Sequence, residues 1–231
     1  MNNKQIKTIG MVVAMDKEIT PFLNSVGECF LDETRGAFRI FGYKTQNKTV
    51  YLVRSGIGEI FASAATQLLI SEFKVELILN FGVCGSLVKN VGVFSTILVS
   101  GVVHYDFDLS AIDNVKVGEY PGYNSPIIST NEYFFEACKK VMGDCLVGIC
   151  ASADKFVADS KIKQELNEKY GAVVCDMECA GVLLTANGYN IPTVIIKAVS
   201  DGEGGAEEFN ACVHKASTLY IKALNEIIKE F

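Results

Sequence analysis

No apolar run in this chain reaches the roughly 18 to 20 residues needed to cross a bilayer, so no membrane-spanning helix is expected. The opening residues, Met1 to Ile6, pass straight into a strand pattern and lack the apolar core and small-residue cleavage site of a secretory leader. None of the eight cysteines are spaced as Cys-x-x-Cys, and only His104 and His214 accompany them, which argues against a zinc framework. Basic residues are in the minority. With 21 Lys and Arg against 27 Asp and Glu the net charge is -6, which gives no electrostatic reason to bind nucleic acid. Internal repeats, low-complexity tracts and linkers are also lacking, so residues 1–231 are read as one domain. These absences predict a cytoplasmic protein with reduced thiols, no membrane or nucleic-acid partner, and a small neutral or cationic ligand. A chain of 231 residues can bury roughly 70 to 75% of its unfolded surface, so neither metal nor disulfide is needed to hold it together.

What is present is a series of short apolar runs closed by polar or glycine turns. Ile6 to Ala14 reads as a buried strand, and Met15 to Ile19 opens a helix with Ile19, Phe22 and Leu23 on its apolar face. Residues 36–43 and 48–54 read as a hairpin around Thr45-Gln46-Asn47-Lys48. Ser55-Gly56-Ile57-Gly58 leads into an alanine-rich helix, a partial dinucleotide fingerprint lacking its third glycine and its distal acid. Leu77 to Phe81 is a third strand. It runs into Gly82-Val83-Cys84-Gly85-Ser86, read as a turn that either admits a ligand to the backbone or is structural. Beyond the strand Phe94 to Val103, residues 109–130 are the longest irregular stretch, of a length typical of lids and subunit contacts. A helix over 131–142, a strand over 145–150, a helix over 160–169, a strand over 172–175 and an apolar helix from Asp176 follow. Cys175 and Cys179, four apart, read as core rather than as metal ligands. Residues 206–229 read as one long amphipathic helix.

The unbroken β-branched run from Thr193 to Val199 reads as a strand buried on both faces, and it ends in Ser200-Asp201-Gly202. Ligands of open α/β sheets sit beyond the carboxyl ends of strands, so Asp201 is a catalytic candidate; the alternative is a cap for the next helix. Glu18 and Glu178 also follow buried strands within a few residues. Glu18 could merely complement a helix dipole. If the three strands are parallel neighbours, the three carboxylates meet on one rim.

In order along the chain stand Ala14-Met15-Asp16-Lys17-Glu18, Ser55-Gly56-Ile57-Gly58, Tyr105-Asp106-Phe107-Asp108, Ser152 to Phe156, Asp176-Met177-Glu178 and Ser200-Asp201. With these motifs the chain resembles, nearly end to end, the 5'-methylthioadenosine/S-adenosylhomocysteine nucleosidases of the purine nucleoside phosphorylase-like superfamily. The resemblance implies an α/β fold in which a central mixed, twisted β-sheet is flanked by helices in a three-layer sandwich. It implies hydrolysis of the N-glycosidic bond of adenine nucleosides, a place in methionine salvage, and no cofactor or metal. Carried over by position, Asp201 would be the general acid protonating adenine at N7, beside Ser200, and Glu18 would hold the attacking water. Met177 and Glu178 would grip the ribose, Phe156 would stack on the base, and backbone groups around Val157 would read its edge. Val83 and Gly85 fall in the substrate-facing turn. Met15, Ile57, Leu109, Ile112 and Phe209 would line the pocket for the 5' substituent, and Pro121 would reach the site of the other subunit in a homodimer.

The residue types suit that chemistry. The bond to adenine breaks through a cationic, oxocarbenium-like sugar, which calls for acid on the base side and anionic or polar groups on the sugar side. Asp201 must then be protonated near neutral pH, although a free Asp titrates near about 3.9. The rival is phosphorolysis. Superfamily phosphorylases commonly use arginines for the anion, and this chain has only Arg35, Arg39 and Arg54, which favours water. Gly82 to Gly85 nevertheless looks more like the phosphorylase turn, and Arg54 adjoins Ser55-Gly56. A nucleoside-binding module without catalysis is a third reading, which the presence of both Glu18 and Asp201 disfavours. Ala153 in place of a usual glycine and Asp176 in place of a common glutamate also depart from the nucleosidase pattern. The 5' substituent, and whether futalosine-type nucleosides are used, stay open.

Overall fold

Two-faced burial organises the centre of the structure, a computed structural model that describes residues 6–45 and 47–231. The leader reading at Met1–Gln5 and the hairpin residue Gln46 lie outside the described residues. The strands are β1 (Thr8–Val13), β2 (Leu31–Arg35), β3 (Phe38–Thr45), β4 (Lys48–Arg54), β5 (Leu77–Ser86), β6 (Thr96–His104), β7 (Ile127–Ser129), β8 (Leu146–Ser152), β9 (Ala172–Asp176) and β10 (Thr193–Asp201). The helices are α1 (Asp16–Leu23), α2 (Glu59–Phe73), α3 (Glu132–Met142), α4 (Ser160–Tyr170), α5 (Cys179–Gly188), α6 (Gly205–Leu219) and α7 (Ile221–Glu230). Side chains of a strand alternate between faces. Ile9, Met11 and Val13 of β1 and Leu77, Leu79 and Phe81 of β5 pack with α1, α6 and α7. Val12 and Ile78, from the same strands, pack on the other side with α2 and α5. Both faces being covered, these strands need no polar alternation, which is why they read as continuous apolar runs.

The sheet runs β10-β6-β8-β9-β5-β1-β4-β3-β2, with β7 beside β6, and it is mixed as expected. β5 lies parallel to both β1 and β10, whereas β6 is antiparallel to β10. Because β10 also pairs with β5, the strands β5, β10, β6, β8 and β9 close into a ring, a feature absent from the sequence reading.

Four further expectations are corrected. Gly82 to Ser86 is no turn but the second half of the ten-residue strand β5. Two strands went unanticipated: β2, whose Leu-Asp-Glu-Thr-Arg is too polar to show a buried pattern, and β7, only three residues long. The C-terminal amphipathic segment is two helices joined at Tyr220, whose fully buried ring meets Phe81 edge-on at 5.2 Å. The strands leading to the three acids are not all parallel neighbours. β9 runs antiparallel to β5 and touches only its end, pairing Cys175 with Gly85 and Val174 with Ser86, so the chain after β9 turns back over the middle of β5.

The irregular stretch between β6 and β7 is ordered by rings. Phe107 and Tyr120 stack at 3.7 Å, and the Tyr120 hydroxyl lies 2.6 Å from His104 Nδ1. No helix among the described residues is long and apolar enough to cross a membrane.

Candidate active site

Asp201 owes its direction to a bulge. In the β10–β5 ladder Val199 pairs with Cys84 and Asp201 with Gly85, leaving Ser200 as the extra residue; bulges of this kind re-aim the side chains around them. The Ser200 hydroxyl bonds to Asp201 Oδ1 at 2.9 Å. The cap reading fails, because the residue capping α6 is Gly204 and the amides of Gly202 and Gly204 bond instead to Glu208. Burial pushes the Asp201 carboxyl above the ordinary aspartate range, with Glu208 adding to the rise and Ser200 and Lys163 opposing it. Gly85 permits this placement, since a Cβ there would stand 3.0 Å from Asp201 Oδ2.

Glu18 is fixed at both oxygens. Its Oε2 accepts from the Met15 amide at 2.9 Å, closing the first turn of α1, and its Oε1 accepts from the Val83 amide of β5 at 2.7 Å. Its own carbonyl accepts from the Tyr220 hydroxyl at 3.2 Å. Burial raises this carboxyl, while Lys197 and the two amides pull it back. The approach to β5 is close enough that a Cβ on Gly82 would lie 2.6 Å from Glu18 Oε1.

Glu178 Oε1 accepts from the Gly58 amide at 3.0 Å, where positive φ at Gly56 and Gly58 turns the loop ahead of α2. Burial and the neighbouring Asp176 charge both raise the Glu178 carboxyl. Beneath it lies a polar joint that ties α2 and α5 to β8, β9 and β10. Asp176 pairs with the fully buried Lys197 at 2.7 Å and accepts from Ser152 at 2.6 Å. Glu59 Oε1 lies 2.5 Å from the same Ser152 hydroxyl, whose single proton it shares with Asp176, and Glu59 Oε2 accepts from the Gly181 amide. Burial would raise Asp176, but Lys197 and the bonds it accepts hold it below the usual range. Asp176 in place of glutamate therefore serves this joint, and Ala153 is buried without strain, its amide bonded to the Asp176 carbonyl.

All three carboxylates line one cavity of about 380 Å³, within the range of small-molecule sites. Met15, Ile57, Val83, Gly85, Phe156, Val157, Met177, Ser200 and Phe209 line it too. The rings of Phe156 and Phe209 meet edge-on at 5.9 Å at the mouth, where Phe156 is 42% exposed. Leu109, Ile112 and Pro121 are not brought there. They lie on the loop between β6 and β7, with Ile112 78% exposed, and none of the three lines the cavity. Sequence reasoning assigned no role to Lys197, Lys163, Tyr220, Ser152 or Glu59. A signal existed for Lys197, the one charge inside an otherwise apolar strand.

A family model described as Phosphorylase superfamily matches residues 8–231. The chain belongs to that superfamily. Within it, the chain is 29% identical to an aminodeoxyfutalosine nucleosidase of Helicobacter pylori over 97% of its length and 99% of the relative's. It is also 29% identical to a 5'-methylthioadenosine/S-adenosylhomocysteine nucleosidase of Buchnera aphidicola, over 89% of this chain and 88% of that one. Among superfamily structures, the futalosine hydrolase of Helicobacter pylori superposes with a TM-score of 0.92 at 28% identity, covering 98% and 99% of the two chains. The superfamily membership and the nucleosidase likeness agree with the motifs read from the sequence.

Proposed function

We propose that the protein is a nucleosidase that hydrolyses the N-glycosidic bond of 5'-substituted adenine nucleosides. The observation that carries this reading is the buried Asp201 carboxyl, raised in pKa and aimed by a bulge into an apolar cavity that also holds Glu18 and Glu178. Such an acid retains its proton toward neutral pH and can give it to the purine as the bond breaks. Glu18, fixed by two amides, orients a water toward the sugar carbon and takes its proton. Glu178 and Met177 hold the ribose, Phe156 stacks on the base and Val157 lies along its edge. The conjugate charge balance needs no cofactor: the purine leaves protonated and hydroxide adds to the oxocarbenium.

Water is preferred to phosphate because none of the three arginines lines the cavity. Arg54 pairs with Asp16 at 3.3 Å, and Arg35 and Arg39 pair with Glu33 and Asp32 near the β2 edge. A second copy would complete the 5' pocket through Leu109, Ile112 and Pro121, and the exposed Ile57, Ile60 and Phe61 beside the mouth give it an apolar surface to meet. The test is free adenine released from methylthioadenosine, adenosylhomocysteine, 5'-deoxyadenosine and aminodeoxyfutalosine in phosphate-free buffer. Release from at least one is expected, and strict dependence on added phosphate would overturn the hydrolase reading. The aminodeoxyfutalosine arm addresses the second substrate class, which the Helicobacter relative favours.

Gly82→Ala is expected to lower kcat by about 100-fold, the scale of an ångström's misplacement of a reacting group. The new methyl would overlap Glu18 Oε1 and drive it off the Val83 amide. Steady-state kinetics beside a thermal melt checks this; equal activity would mean that Glu18 does not need that seat.

A further inference from the structure

The mechanism above leaves Lys163, a buried cation behind Asp201, without a task. Lys163 projects from α4 with only 7% of its side chain exposed, donates to the Gly202 carbonyl at 2.5 Å, and stands 4.0 Å from Asp201 Oδ2. It does not line the substrate cavity. Its stem lies in the wall of a separate polar cavity of about 830 Å³, bounded also by Lys89, Ser160, Gln164, Glu203 and Glu208, so it reaches Asp201 from behind.

We propose that Lys163 is a positioning residue for Asp201: its ammonium pins the Gly202 carbonyl just past the bulge and sets a fixed positive charge beside the carboxylate that forms when the proton leaves. This rests on Asp201 acting as the acid. A carboxylic acid buried among apolar groups holds its proton but surrenders it reluctantly, because the carboxylate left behind is poorly solvated. A cation about 4 Å away compensates that charge at the moment it develops, which is when stabilisation accelerates the reaction. The other charged or titratable groups facing Asp201 cannot substitute. Glu208 of α6 is an acid, and the thiols of Cys175 on β9 and Cys84 on β5 are themselves raised by burial.

The test is the pH profile of kcat/KM for adenine release in the wild type, Lys163→Met, Lys163→Gln and Lys163→Arg. Methionine removes charge and hydrogen bond together, glutamine keeps a donor for Gly202 and removes only the charge, and arginine keeps both. In the glutamine variant the alkaline limb is expected to move up by about 1 pH unit, the low end of the effect of a charge at this distance, and kcat to fall about tenfold. Arginine is expected to restore the wild-type limb. A glutamine limb coincident with wild type, or glutamine and arginine variants of identical profile, would overturn the proposal and leave Lys163 a structural pin. The parent reading fails separately: an active Asp201→Asn enzyme removes the acid itself, whereas an inactive one with an unmoved Lys163→Gln limb defeats only the role of Lys163.

Discussion

Asp201→Asn is expected to lower kcat by about 100- to 10,000-fold, the usual contribution of a positioned general acid, while nucleoside binding survives. Asparagine is nearly isosteric and keeps an oxygen to accept from Ser200, but its amide cannot deliver a proton to a leaving purine. The cavity, the Phe156 ring at its wall and the Glu178 seat are untouched by the change. Single-turnover adenine release measures the first effect, and calorimetric titration with a 5'-thio nucleoside the second. Turnover within tenfold of wild type would take Asp201 out of the mechanism. Stability supplies an independent check on the same residue. A carboxyl whose folded pKa lies above its unfolded value contributes stability below the unfolded pKa and loses it as pH rises through the folded one. Asn has no such ionisation, so the variant should melt no lower than wild type at pH 8, and its advantage should vanish below about pH 4.

Lys197→Met is expected to cost about 3 to 5 kcal/mol of folding stability, the price of orphaning a buried charge. Lys197 is 1% exposed and its ammonium is 2.7 Å from Asp176 Oδ2, so removing it strands the Asp176 carboxylate beneath the site. Ser152 and the Cys179 amide still donate to Asp176, which keeps the loss from being larger. Burial disfavours the Lys197 charge, yet Asp176 and its neighbours hold this pKa well above the ordinary lysine value. Asp176, held low, gives stability that is present above its unfolded pKa and disappears as pH falls through the folded one. The deficit of the variant should therefore be widest at neutral pH and narrow in acid. Urea unfolding at pH 7 and pH 4 measures it, and adding Asp176→Asn should recover a large part. Equal midpoints for wild type and Lys197→Met at pH 7 would show that the pair contributes nothing.

The central strands around the carboxylates were legible because the sheet is covered on both faces. Thr193–Asp201, Leu77–Phe81 and Thr8–Val13 have no polar alternation to obscure them, and an acid at the end of such a run stands out. Glycines misled. Gly82 and Gly85 suggested a turn, but they are strand residues kept small by Glu18 Oε1 and Asp201 Oδ2, side-chain atoms of residues 64 and 116 positions distant in sequence. Pairing order was equally invisible, because nothing in Ala172–Asp176 tells that it meets β5 head to tail. The kink at Tyr220 followed from its ring and hydroxyl both having partners near α1 and β5, which the amphipathic period cannot register. Lys197, Asp176, Ser152 and Glu59 form their joint across four elements. No local window contains more than one of them.

The seat of Tyr220 also bears on how the enzyme comes into being. Glu18 leaves the ribosome long before its partner: its carbonyl is held by a hydroxyl synthesised 202 positions later, and Asp201 and Phe209 emerge only shortly before that. Chains grow from the amino end, so the helix bearing Glu18 must wait for those 202 residues before its floor arrives. A nascent or clipped chain ending ahead of Tyr220 holds every carboxylate of the site but not the support beneath the first of them. Cleavage that removes α7 together with Tyr220 is therefore expected to abolish activity without removing any residue that lines the cavity.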